Sequence, residues 1–171
     1  MKKFYTNINQ AVKLSEDDNE HCSLWTFPTT DDYANAQVFW NRYFAKYLNT
    51  LQITQETVPF ETTSTTTANL IQLSDGSVIG ISFTGAAGDI IFTFYPEINR
   101  INSPDFHKYR FVFVLTKEKC IVEPYVYDWD GTEDNLVNHS RYGCNRTSPL
   151  RNYCAKLMQY NTWLIRGNYP W

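Results

Sequence analysis

The chain has 171 residues, with 15 Lys and Arg against 18 Asp and Glu for a formal net charge of -3. That length suits one domain with a single core, and 43% apolar residues exclude a wholly disordered or collagen-like chain. The slightly acidic balance presents no basic surface for phosphate backbones, so nucleic acid is excluded as a partner on charge. No run reaches the roughly 18 apolar residues of a membrane span.

Aromatic residues reach 16% while charged residues are only 19%, so aromatic packing is expected to hold the core. Phe4, Ile8, Ala11 and Val12 recur at helical spacing with polar residues between them, which predicts an amphipathic helix over residues 2–16. No Ser, Thr, Asp or Asn precedes Lys2 to cap it, and the residues after Met1 lack the apolar stretch of a signal peptide. Asp31 is expected to cap a second helix carrying Tyr33, Ala36, Trp40, Tyr43, Phe44, Tyr47, Leu48 and Leu51, ending near Thr50. Residues 54–69, rich in Thr, read as an exposed loop.

Strand patterns follow. Ile71 and Leu73, then Ile79, Ile81 and Phe83, alternate with polar or small residues on either side of Asp75-Gly76, which predicts a hairpin. Gly85-Ala86-Ala87-Gly88 reads as a second turn, and Ile90 to Tyr95 and Tyr109 to Leu115 read as further strands of an antiparallel meander, joined through the loop 99–104. Ser148-Pro149 is expected to open a short C-terminal helix that packs through Tyr153, Ala155, Leu157, Met158 and Tyr160. The class expected is α+β in one domain spanning residues 1–171, with the first helix packed on an antiparallel sheet.

Recognisable catalytic spacing is absent: His21, His107 and His139 stand apart, and no H-E-x-x-H, G-x-S-x-G or phosphate-binding loop occurs. An enzyme is therefore not expected, and no catalytic residue is assigned. Asp128, Asp130 and Asp134 gather oxygens around Gly131 in the manner a calcium ion uses, yet the spacing lacks the terminal glutamate of an EF-hand, so a solvated acidic turn is the plainer reading and no cofactor is expected. The four cysteines, Cys22, Cys120, Cys144 and Cys154, contain no C-x-x-C pair. Three pairings are open to them, as is a set of four buried free thiols, and a bond between Cys144 and Cys154 would close only a short loop.

Both ends of the chain carry a family likeness. Phe4-Tyr5-Thr6-Asn7-Ile8-Asn9-Gln10-Ala11-Val12-Lys13-Leu14-Ser15-Glu16 resembles the segment after the membrane helix in type IV pilin-like and type II secretion pseudopilin-like proteins. Tyr142-Gly143-Cys144, Asn152-Tyr153-Cys154-Ala155-Lys156-Leu157-Met158 and the closing Asn168-Tyr169-Pro170-Trp171 look like that family's C-terminal signature. The middle matches more loosely: Glu97-Ile98-Asn99-Arg100 and Ser103-Pro104-Asp105 depart from the family's Asp-x-Asn-Gly and Gly-Pro-Asn turn.

The resemblance implies a non-catalytic fibre subunit that pairs with other pilin or pseudopilin subunits through its N-terminal helix, here Phe4, Ile8, Ala11 and Val12. It also implies an apolar half-helix before Lys2 that anchors the precursor in the inner membrane, with Met1 an introduced start, and export to a periplasmic or cell-surface fibre. Having lost fibre neighbours, Phe4 and Ile8 would then be less buried than Ala11 and Val12. Export favours a Cys144–Cys154 disulfide and leaves Cys22–Cys120 as a possible second bridge. The alternative function is a cell-surface module whose aromatic side chains recognise a glycan or a protein.

Overall fold

The computed structural model describes residues 1–61, 63–85 and 88–171. Helix α1 runs over Lys2–Asp18 and buries one stripe, Phe4, Ile8, Ala11, Val12 and Ser15, while Lys3, Asn7, Gln10 and Lys13 face outward. The side chain of Asn19 closes its last turn by donating to the Ser15 carbonyl at 3.0 Å. A 3₁₀ turn at Cys22–Leu24 leads to α2, Tyr33–Tyr43.

The cap of α2 is Asp32, not Asp31: its carboxylate accepts the Asn35 N–H at 2.9 Å. The helix also stops at Tyr43, short of the expected end near Thr50. Tyr47 and Leu48 continue the aromatic stripe only as a tight turn, and Leu51 is exposed.

Six strands follow in one antiparallel meander whose spatial order is its sequence order: β1 Thr50–Pro59, β2 Thr65–Leu73, β3 Val78–Phe83, β4 Asp89–Tyr95, β5 Phe111–Thr116 and β6 Val122–Pro124. The expected Thr-rich loop is in fact the first hairpin, with Thr54 opposite Leu70 and Val58 opposite Thr66. Threonine is β-branched and suits a strand. As an edge strand β1 buries only Val58, so no apolar alternation marks it. Thr62, within that stretch, and Ala86 and Ala87, in the expected second turn, lie outside the described residues. The 71–83 hairpin turns through Gly76, whose φ of +86° requires glycine.

Alternation divides the sheet into two faces. Ile71, Ile79, Ile81, Phe83, Ile90, Phe92, Phe94, Phe113 and Leu115 point toward the helices and join Phe4, Ile8, Trp25, Phe39, Trp40 and Phe44 in the main core. Phe4 stacks on Phe94 with centroids 4.0 Å apart, and Trp25 stacks on Tyr43 at 4.3 Å. The indole N–H groups of the two buried tryptophans are spoken for: Trp25 donates to the Glu20 carbonyl at 2.7 Å and Trp40 to Thr50 Oγ1 at 2.8 Å. Val58, Leu70, Val78 and Tyr95 pack with Ile101 on the opposite face.

After β6 come α3, Glu133–Asn138, and α4, Cys154–Tyr160. The last helix begins later than Ser148-Pro149 because the preceding loop is organised differently. Asn145 Oδ1 accepts the N–H groups of Thr147 and Ser148, and Arg151 sits at φ 54°, which no helix continues through. The described chain is thus α+β, a six-stranded antiparallel sheet with four α-helices.

One buried group gives the fold an acid-sensitive point. His107 is 5% exposed and neither ring nitrogen has a hydrogen-bond partner among the described residues. Burial, with Arg151 and Arg110 adding repulsion, pushes its pKa from 6.5 down to about 3. Below pH ~6.5 the unfolded chain therefore takes up a proton that the folded chain refuses until near pH 3, and stability is lost as pH falls through that window. The substitution His107→Phe is expected to flatten this loss by about 1 kcal/mol per pH unit between pH 6 and 4, read as the difference between variant and wild type in urea unfolding.

Candidate functional site

Helix α1, for which the resemblance implies subunit contacts, packs its apolar stripe into the core of its own chain. Ile8 and Val12 are fully buried, Ala11 is 1% exposed and Phe4 7%. The expectation that Phe4 and Ile8 stand less buried than Ala11 and Val12 holds for Phe4, even with Phe94 and Phe113 packed against it, and is corrected for Ile8. All four side chains belong to the intramolecular core, so the surface α1 leaves for another molecule is the opposite one. There Lys3, Asn7, Gln10 and Leu14 border a shallow groove of about 370 Å³, closed on its other side by Tyr47, Leu48 and Asp75.

Asn9 joins this helix to the sheet, a role composition alone does not reveal. Its Oδ1 accepts the Val122 N–H and its Nδ2 donates to the Val122 carbonyl, both at 2.9 Å, so the amide completes the free edge of β6 as a neighbouring strand would. Replacing it by leucine strands both backbone groups at a half-buried position. The expected cost is about 2–4 kcal/mol in chemical denaturation.

The C-terminal motif folds around a disulfide between Cys144 and Cys154, with Cα atoms 4.7 Å apart and both residues fully buried. Cys144 donates its N–H to the Leu136 carbonyl at 2.8 Å and Tyr153 donates its own to the Tyr142 carbonyl at 2.9 Å, so the bridge ties α4 to the end of α3. Tyr125, Tyr127, Tyr142 and Tyr153 cluster against it, and the Tyr153 hydroxyl donates to the Tyr127 carbonyl. The motif Tyr142-Gly143-Cys144…Tyr153-Cys154 therefore describes one packed unit.

In the acidic turn, Asp130 and Asp134 bond to neighbouring groups of the turn and of α3. Asp130 Oδ1 accepts both the N–H and the hydroxyl of Thr132, at 2.8 and 2.7 Å, and those bonds hold its carboxyl below the usual range. Thr132 in turn caps α3 by accepting the Asn135 N–H, and Asp134 accepts from the Asn138 side chain at 2.8 Å. Asp128 takes a left-handed φ of 61° at the start of the turn. These carboxylates shape a helix start, a job the spacing of three aspartates around a glycine does not distinguish from ion binding.

Cys22 and Cys120 are both free and buried, so the possible second bridge is not formed. They meet nonetheless: one ligand atom each from Glu16, Cys22 and Cys120 lie within 4.8 Å of one another. Burial first, then Cys120 and Glu16 nearby, push the Cys22 thiol well above its ordinary pKa.

On the far face of the sheet, a groove of about 360 Å³ has Ala68, Gly80 and Thr93 in its floor and Tyr95, Arg110 and Tyr142 in its walls. Arg110 is buried and already committed, donating to the Leu150 carbonyl at 2.9 Å and to Asn152 Oδ1 at 2.8 Å. It ties the C-terminal loop to the start of β5.

A helix-backed antiparallel meander with a disulfide-closed C-terminal unit is the class these observations define. The chain belongs to a family of unknown function, DUF6613, whose match covers residues 1–171. No curated protein and no solved structure matches it.

Proposed function

We propose that this chain is a structural, non-catalytic subunit of a type IV pilus-like or type II secretion fibre. In this reading a membrane-anchored precursor is exported, an apolar segment continues α1 toward the membrane and later the fibre core, and the sheet faces outward. The observation that carries the reading is the seating of α1: one apolar stripe packs along its own sheet while Lys3, Asn7, Gln10 and Leu14 remain on a continuous outer face. The disulfide unit at Cys144–Cys154 supports it as a covalent lock suited to an oxidising compartment. Subunit contacts are assigned to the outer face of α1 in place of Phe4, Ile8, Ala11 and Val12, which the core has taken.

The test is a photo-activated cross-linking residue placed at Asn7 or Gln10 in cells that produce the protein. Chain-to-chain adducts, or adducts to another fibre subunit, are expected from those positions and not from Gln52 on the edge strand. The proposal is wrong if irradiation at Asn7 and Gln10 leaves the chain entirely monomeric.

A further inference from the structure

Three potential ligands, Glu16, Cys22 and Cys120, converge beside the end of α1, with His21 at the rim of the group. Glu16 lies in the last turns of the helix with a side chain only 12% exposed; its Oε1 accepts the Cys22 N–H at 3.0 Å and lies 3.5 Å from His21 Nε2. Cys120 Sγ, on the turn between β5 and β6, is 3.8 Å from His21 Nδ1, and Cys22 and Cys120 are 0% and 3% exposed. Neither the fold nor the reading of the chain as a fibre subunit uses this cluster.

We propose that Cys22, Cys120 and Glu16 form a binding site for one zinc ion, with the exposed His21 turning in as its fourth ligand. Ligand type argues first: two thiols with an imidazole and a carboxylate are a donor set that zinc accepts, whereas calcium and magnesium take oxygen. Spacing argues next. Zinc bonds of about 2.3 Å to sulfur and 2.0–2.2 Å to nitrogen and oxygen place tetrahedral ligand atoms roughly 3.3–3.8 Å from one another. Glu16, Cys22 and Cys120 offer ligand atoms within 4.8 Å of one another, so small movements bring these three to such separations, whereas His21 meets Glu16 with Nε2 at 3.5 Å and Cys120 with Nδ1 at 3.8 Å and must turn to present one nitrogen to the ion.

The surroundings agree. His21 Nδ1 accepts the Ser23 N–H at 3.4 Å and lies 2.8 Å from Ser23 Oγ, which holds the ring with Nε2 on the side of Glu16. The His21 side chain is 63% exposed, so the ion has a way in past it to the buried thiols. Cys120 adopts φ 51°, a backbone conformation that non-glycine residues seldom take, and it turns this thiol toward residues almost a hundred positions away. A disulfide between the two cysteines would use neither the carboxylate nor the imidazole.

The full chain, with Cys144–Cys154 oxidised, should be prepared from cells supplied with zinc and weighed by native mass spectrometry. Wild type is expected to carry one zinc per chain, to protect Cys22 and Cys120 from alkylation until a chelator is added, and to show thiolate-to-metal charge-transfer absorption when cobalt replaces zinc. Cys120→Ser should lose that absorption. His21→Gln lies at an exposed position and leaves the core intact, so it separates binding from folding; its zinc affinity should fall by about tenfold or more. The proposal is overturned if the zinc-supplied chain contains a Cys22–Cys120 disulfide, if its two thiols alkylate freely with no zinc bound, or if His21→Gln and Cys120→Ser both bind zinc as wild type does.

Discussion

Replacing Gly143 by alanine is expected to cost at least about 4 kcal/mol and to lower the melting temperature by about 10 °C. A Cβ at this position would stand 2.4 Å from the Val137 carbonyl oxygen, 2.6 Å from that of His139 and 2.8 Å from the His139 nitrogen. All three are backbone atoms, so no side chain can swing aside. Gly143 itself donates to the His139 carbonyl at 3.0 Å and its neighbour Cys144 donates to Leu136 at 2.8 Å, which pins the segment against the end of α3. Relief requires moving residues 143–144 away from α3, which breaks the bond from the Cys144 N–H to the Leu136 carbonyl. A thermal melt of the variant checks this, and a midpoint within a degree or two of wild type would show that the contact yields freely.

Loss of the disulfide is the second large effect. Replacing both Cys144 and Cys154 by alanine frees a loop with a sequence separation of 10, which on chain-entropy grounds costs about 3 kcal/mol. Alanine is the better replacement because both positions are fully buried and a serine hydroxyl would enter the core without an assured partner. Denaturant midpoints of the double variant and wild type, both without reductant, give the value. The tyrosine cluster around Tyr142 and Tyr153 should loosen with it, visible as a reduced near-ultraviolet circular dichroism signal.

These two effects sit in the part of the chain whose sequence speaks most clearly, and the contrast with other parts has physical causes. The stripe of α1 and the Asp-Gly hairpin are local patterns of period 3.6 and 2, readable because one face is apolar and the other polar. Strand β1 carries no such signal: Gln52, Gln55, Glu56 and Thr57 are exposed along an edge that buries only Val58, and its pairing to β2 is a long-range fact. Strand β6 has three residues, too few to show a period, and gains an edge partner in the Asn9 side chain. The early end of α2 reflects tertiary demand, since Trp40 and Phe44 must turn inward and Trp40 must reach Thr50.

The candidate sites divide the same way. The Cys144–Cys154 unit lies within a short stretch, yet the residues alone leave three pairings open and only the resemblance favours this one. The cluster of Glu16, Cys22 and Cys120 with His21 at its rim is not legible in this way, because His21 and Cys120 have a sequence separation of 99 and only the meander returns the β5–β6 turn to the end of α1. Phe4, Ile8, Ala11 and Val12 illustrate the converse. Their pattern marks a buried face, and a sequence alone does not say whether the burial is supplied by the same chain or by a neighbour.

The fibre reading is tested most directly by electron cryo-microscopy of filaments sheared from cells that produce the protein natively. The account predicts helical filaments in which this domain repeats, α1 directed toward the axis with Asn7 and Gln10 against the next subunit and β1 at the outer surface. Filaments that lack the domain, or a chain recovered only as a dispersed monomer from every fraction, would contradict it.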